Sequence, residues 1–517
     1  MSQDTNNRKT LAKNTIIVYV QMFVTMAVNI LSVRLVLKAL GDSDYGLYNI
    51  VGGVVAMFTF LSASMSVTTT RFLNYERGKR GGDTNRIFNQ SHVLHILFAL
   101  IIFLLLESAG VYYIVHHLNV ASGKEGDAMF VFQVSTVTAC LGIMNVPYQS
   151  IFIAHEKFSI VAITDILSVL LKLSFIFVLW VYEGNALRFY AVCMCLVTFF
   201  SFVVYHVLAT RCWPEIVKWK LVKDLHSYKE QLFFSNWNLL ATLSLMARGQ
   251  GAALIINHFF GTVVNAAFAI ANNVQQQVNG FVGNFDTAVS PQIARNVGAG
   301  NTDVSLSLAC KTCRMCVLLM EVLFFSLYVE LEFVLHSWLG DEFPDGTEVF
   351  CEYTLFIAVV SSTSAGLVHL INGLGKIKWF KIQGCLWQIL PLVLGWIAYS
   401  KGMAPPAIVL FFVISGVLGR ITQFYLLHHI YGIKVMPFIR SAYARPALIF
   451  VLMLLYLLLY RQVVITSCLA HITGILLTLF ITMGLSFMFG LHVGEKRMLV
   501  DFFKTKINLL SHKTPTK

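Results

Sequence analysis

The chain has 517 residues, of which 57% are hydrophobic and only 12% charged, with a formal net charge of +12. Soluble domains carry about 25% charged residues, so soluble enzymes, disordered chains and disulfide-stapled secreted scaffolds are excluded as classes. The apolar residues would instead fill about fourteen membrane helices of about 20 residues each.

Apolar runs bounded by polar breaks predict spans 1 to 6 over 14–37, 46–70, 91–115, 129–153, 159–182 and 188–210. Spans 7 to 12 follow over 232–257, 264–286, 309–334, 350–371, 382–400 and 405–428, and spans 13 and 14 over 446–460 and 466–490. The first run lacks a small-residue cleavage site, so it reads as a retained span rather than a signal peptide. The resulting division is a six-helix bundle in 1–209, a connector in 210–231, a second six-helix bundle in 232–428, two appended spans in 429–490 and a basic tail in 491–517. The connector mixes Trp213, Ile216, Trp219 and Leu221 with Lys218, Lys220 and Lys223, the pattern of an amphipathic segment on a membrane surface.

Charge placement sets the orientation. Of 38 Lys and Arg, 29 fall in the two terminal segments and the even-to-odd loops, six on the opposite side, and three (Lys172, Arg248 and Arg420) inside spans. That bias puts both termini in the cytoplasm and accounts for the basic excess without a nucleic-acid partner. The longest outer loop, 336–349, is acidic and too short for an external domain.

An offset of 220 relates the two halves: Gly41 corresponds to Gly261 and Asp83 to Asp303, with a helix of matching length between each pair. Spans 1 to 6 and 7 to 12 therefore read as parallel repeats, an arrangement in which two bundles can rock about a central site.

Polar side chains inside the spans mark candidate sites, because lipid would tax them heavily. In span 8, Asn265, Asn272, Gln276, Asn279, Gly283 and Asp286 fall on one helical face. Amides both donate and accept, which suits sugar hydroxyls; helix-to-helix hydrogen bonding is the plainer reading of the same stripe. Span 1 adds Gln21, Thr25, Asn29 and Ser32, with Arg34 near its outer end, and span 7 carries Asn236, Thr242, Ser244 and Arg248. Arg248 offers the planar fork that phosphate accepts, or it serves as a structural ion-pair partner. Asp165, Ser168 and Lys172 share a face of span 5, so the charges form either an internal pair or a site for a coupling proton or cation. Glu107, Asp286 and Glu321 are further intramembrane acids, the last two candidate ion-coupling groups.

Other signals carry less. Cys310, Cys313 and Cys316 have part of an iron–sulfur spacing but no fourth ligand, and the remaining thiols sit mostly in apolar runs. Asp42 and Asp44 form a DxD in a short turn, and the pairs His116-His117 and His428-His429 have no carboxylate at metal spacing. No cofactor is expected, and with no P-loop, HExxH or GxGxxG the chain reads as a transporter rather than an enzyme.

The stretch from Leu37 through Leu40-Gly41-Asp42-Ser43-Asp44-Tyr45-Gly46 to Tyr48, leading into a small-residue span 2 that ends in Arg71-Phe72, resembles the start of the Wzx-type polysaccharide flippases. The segment from Ser290-Pro291 to Gly300-Asn301 is similar to the loop after span 8 across their superfamily, which also holds the MATE multidrug exporters and the lipid II flippase. The resemblance implies an all-α polytopic protein of about fourteen membrane helices with a MATE-like V-shaped fold, two parallel six-helix bundles and two extra helices. It implies movement of an undecaprenyl-pyrophosphate-linked oligosaccharide from the inner to the outer leaflet of a bacterial cytoplasmic membrane, with proton or sodium as the coupling ion. A polysaccharide polymerase and glycosyltransferases would be its partners, beside membrane lipids. Arg248, Arg34 and Lys172 match in kind the cationic cavity such a substrate requires. A MATE-type drug antiporter and a lipid II flippase are the alternative readings.

Overall fold

The computed structural model describes residues 17–496 except 30, 33–34, 37, 42–43, 45–46, 49–50, 53–54, 56–58, 117–122, 340–343 and 463–466. Arg34, the DxD aspartate Asp42, His117 and both terminal segments lie outside the described residues. The described residues form helices joined by short turns, without a strand.

The helices follow the expected spans in order. Span 1 is described over Ile17–Asn29 and span 2 over Thr59–Gly78. Spans 3 to 6 occupy Thr84–His116, Glu125–Ala154, Phe158–Leu179 and Ala186–Cys212. Spans 7 and 8 are two helices within Leu225–Gly298 that meet at a kink at Gly261, φ 79° and ψ −172°. Span 9 is Thr302–Tyr328; span 10 is a bent pair, Thr347–Ser362 and Ala365–Leu374, with an angle of 42°. Spans 11 to 14 are Lys378–Ser400, Ala407–Tyr431, Val435–Tyr460 and Cys468–Gly490. Among the described residues nine helices are long and apolar enough to cross a membrane, ten with the bent pair. The protein is a multi-pass membrane protein.

Local chemistry sets the ends. Asp83, Asn185, Asp224 and Ser467 each accept a bond from a backbone N–H in the first turn of the following helix, satisfying one of its unpaired donors. Gly432 ends span 12 in a left-handed conformation, φ 66°.

The offset of 220 runs through the coordinates. Helices end at Gly78 and Gly298 and at Ala154 and Leu374, and they begin at Phe158 and Lys378. Gly41 and Gly261 both have positive φ, 76° and 79°, a conformation that costs glycine little and other residues more.

The chain forms two compact units. The first comprises 1–245, 287–306 and 369–382; the second comprises 246–286, 307–368 and 383–517. In the first, Val131, Phe132, Leu106 and Ile143 make a core between spans 3 and 4. In the second, Phe324, Phe325, Phe350 and Ile449 anchor a larger one. Outward-pointing Leu458, Leu459, Leu469 and Phe480 are exposed, as lipid-facing positions should be.

Spans 13 and 14 are fastened to the middle of span 9 and to the turn just past its end. In the middle, Arg314, only 1% exposed, pairs with Glu495 and donates to the Ser441 carbonyl. Past the end, the Glu330 carboxylate accepts from Tyr460 Oη at 2.6 Å and faces His471 Nδ1 at 2.6 Å, with Phe333 stacked on that imidazole.

Candidate functional site

Span 5 brings Asp165 into reach of spans 1 and 6. Its carboxylate accepts from Gln21 Nε2 at 2.5 Å and from Tyr205 Oη at 3.4 Å. One turn along, Ser168 Oγ lies 2.8 Å from Ser201 Oγ on span 6. Lys172 turns away from Asp165 and donates to Asn29 Oδ1 of span 1 at 3.4 Å. The two charges thus do not pair; each meets a neutral group on a neighbouring helix. Neutral partners leave a carboxylate able to take a proton or a small cation.

The second unit holds the other cation. Arg248 donates from Nη1 to Gln388 Oε1 on span 11 at 3.1 Å, and its guanidinium lies 4.3 Å from the Phe412 ring centroid of span 12. Among the described residues it has no carboxylate partner, so the ion-pair alternative has no support in the fold. Four of its five N–H groups stay available for an anion, and the aromatic face holds the guanidinium in place without neutralising it.

Span 8 presents its amides in a different phase from that expected. Asn273, Gln276, Gln277 and Gly280 are exposed, whereas Asn265, Asn272, Asn279 and Asp286 are half-buried. Of the four amides predicted from the spacing, only Gln276 lies fully on the open face; Asn273 and Gln277 were missed. The run Asn272-Asn273 followed by Gln275-Gln276-Gln277 carries both phases, and the signal that separates them is the apolar set Ala267, Ala271, Val278 and Val282, all buried on the opposite side.

Glu321 of span 9 is 1% exposed, and its Oε2 has no hydrogen-bond partner among the described residues. Cys310, Cys313 and Cys316 are buried along one side of span 9 as small packing residues. Tyr205 and Gln388, absent from the sequence-level set, complete the polar contacts of Asp165 and Arg248.

The sequence profile described as polysaccharide biosynthesis protein matches residues 11–297, more than half of the chain. The chain belongs to that family. Solved structures carry the same fold. A point mutant of a MATE transporter aligns with a TM-score of 0.68 at 14% identity, over 83% of this chain and 96% of that one. An outward-facing multidrug-resistance MATE transporter of the MOP superfamily aligns at 0.65 and 15% identity, over 83% and 96%. A MOP-superfamily transporter from Pyrococcus furiosus, described as having reversed polarity in its binding pocket, aligns at 0.63 and 15% identity, over 84% and 96%. No curated protein matches the sequence. At such identities the likeness fixes the MATE-like fold alone, and the site of this polysaccharide biosynthesis protein rests on its own residues.

Proposed function

We propose that this transporter is a flippase for an undecaprenyl-pyrophosphate-linked oligosaccharide, carried from the cytoplasmic to the outer leaflet by alternating access during surface polysaccharide assembly. The observation that carries the reading is Arg248, a permanent cation inside a span, held by an amide and an aromatic ring with no acid to neutralise it among the described residues. Such a group needs an anion to justify its place in the membrane. The sequence also offers Lys172 and Arg34 as cations of the kind a pyrophosphate requires. The open amides Asn273, Gln276 and Gln277, in the same unit as Arg248, supply donors and acceptors for glycan hydroxyls. Asp165, with Gln21 and Tyr205, is the proton or sodium site that couples the cycle; Asp286 and Glu321 are secondary candidates.

The 29-to-6 distribution of basic residues supports termini on the cytoplasmic side of a bacterial inner membrane. A polymerase and glycosyltransferases would act on either side of the transfer step.

The test is reconstitution in liposomes with a fluorescent undecaprenyl-pyrophosphate oligosaccharide, scoring transfer between leaflets by a membrane-impermeant quencher. Wild-type protein should transfer it and Arg248→Ala should not. Efflux of a cationic dye without movement of the lipid-linked glycan would overturn the proposal in favour of a drug antiporter; equal transfer of lipid II and of this substrate would widen it.

A further inference from the structure

Where spans 2 and 8 end, the two helices touch backbone to backbone. A Cβ on Gly78 would stand 1.9 Å from the Arg295 carbonyl oxygen, and a Cβ on Gly298 would stand 2.0 Å from that of Tyr75. The contact is reciprocal, because 298 is 78 plus 220 and 295 is 75 plus 220. Each repeat thus offers the same glycine to the same backbone position of the other, and no larger residue fits at either place.

Side chains ring this crossing. Arg295 Nη1 pairs with Glu156 Oε1 at 3.1 Å, and Gln292 Nε2 donates to Glu156 Oε2 at 3.0 Å, which ties span 8 to the turn after span 4. Glu156 holds a left-handed backbone, φ 57°, a conformation uncommon outside glycine. From span 2, Arg71 donates to the last carbonyls of span 10, Asn372 at 3.0 Å and Gly373 at 3.2 Å, and stacks over Phe72 and Phe234. Arg77 donates to the last carbonyl of span 4, Ala154. A Cβ on Gly373 would lie 3.2 Å from Val297, so spans 8 and 10 also approach closely. All these residues belong to the first compact unit.

We infer that the Gly78–Gly298 crossing is the seal of a gate on the basic face of the protein, and that the Glu156–Arg295 pair is the clasp that holds it shut. The inference rests on the alternating-access reading. Spans 2 and 4 belong to one repeat and spans 8 and 10 to the other, so the halves cannot part on this face while the crossing stands. The energetics suit a device that opens every cycle. Arg295 is 30% exposed and Glu156 10%; a fully exposed ion pair contributes only about 0–1 kcal/mol, and this partly buried one somewhat more. A glycine crossing is held by close packing rather than by interlocked side chains, so the Glu156–Arg295 pair is the charged contact that must break for it to separate.

The test follows the accessibility of a reporter, Gln276→Cys, in protein whose exposed Cys212 and Cys468 are changed to serine. Inside-out vesicles are treated with a membrane-impermeant maleimide and the labelling rate is read. Glu156→Arg should raise the rate about fivefold to tenfold, the loss expected for a rim pair turned into a repulsion. The exchange Glu156→Arg with Arg295→Glu should restore the slow rate. Gly78→Leu should label as fast as the charge reversal; Gly78→Ala replaces it if the larger variant does not reach the membrane. Unchanged labelling in both Glu156→Arg and the Gly78 variant, or fast labelling in the exchanged pair, would overturn the gate. Glycan transfer is scored in parallel vesicles that hold wild-type protein: altered labelling without glycan transfer by that protein would leave the gate standing and remove the proposed substrate instead.

Discussion

The two repeats solve one problem in opposite senses. In the first, the cation sits on the fifth helix and the amide on the first: Lys172 donates to Asn29. In the second, the cation sits on the first helix and the amide on the fifth: Arg248 donates to Gln388. The helix pairing is conserved through the duplication while donor and acceptor have changed places. Only the first repeat adds an acid on that fifth helix, Asp165; the position 220 residues on is Cys385. Duplicated helices therefore supply a shared frame on which charge is distributed independently, and on this pair of helices the first repeat carries an acid beside its cation while the second carries the cation alone.

The most severe way to break the comparison is Arg248→Ala. A bidentate charged bond to phosphate contributes about 3 kcal/mol, so transfer should fall by roughly a hundredfold or more, with Arg248→Lys retaining part of it. Lys172→Ala, which removes a single flexible donor, should lose less; transfer rates of the two variants at matched membrane levels give the ratio, and an equal loss would erase the asymmetry.

Next in size is the fastening of the appended spans. Arg314→Ala removes one partner of a buried pair and should cost about 3 kcal/mol, read as a lower melting temperature in detergent. Asp165→Asn should keep the fold and abolish the response of transfer to a proton or sodium gradient, measured in liposomes with each gradient imposed in turn; a retained response would move ion handling away from the first repeat.

The smallest effect concerns pH at the end of span 4. Burial first, then the neighbouring Arg77, hold the His155 imidazole down at about 4. A folded value below the ordinary 6.5 means that the unfolded chain binds the proton more readily, so stability falls as pH drops from about 6.5 toward 4 and then levels off. Melting temperature against pH checks this, and His155→Gln should flatten that part of the profile.

Much of this was legible in the sequence, and for physical reasons. Apolar runs of about 20 residues must become helices in a bilayer, and a duplication leaves its offset in glycines that need positive φ, such as Gly41 and Gly261. Arg248 stood out because an intramembrane charge is costly. The phase of the span 8 amides was not legible: five amides in six positions fit two adjacent faces, and only the buried alanines and valines behind them decide. Glu156 with Arg295, 139 residues apart, and Arg71 on the Asn372 carbonyl are long-range meetings that no local pattern announces. The Asp165–Lys172 spacing suggested a pair, and the fold instead offered each a better-placed neutral neighbour.

The single break at Gly261 has a consequence for biogenesis. Between spans 7 and 8 there is no hydrophilic loop, only Phe259, Phe260, Gly261, Thr262 and Val263 at the kink where two helices meet. A nascent chain with no polar segment to hold at the far surface has little reason to pause there, so the two spans should enter the bilayer together as one hairpin. The amide-rich span 8, too polar to partition alone, would then be carried in by its apolar companion.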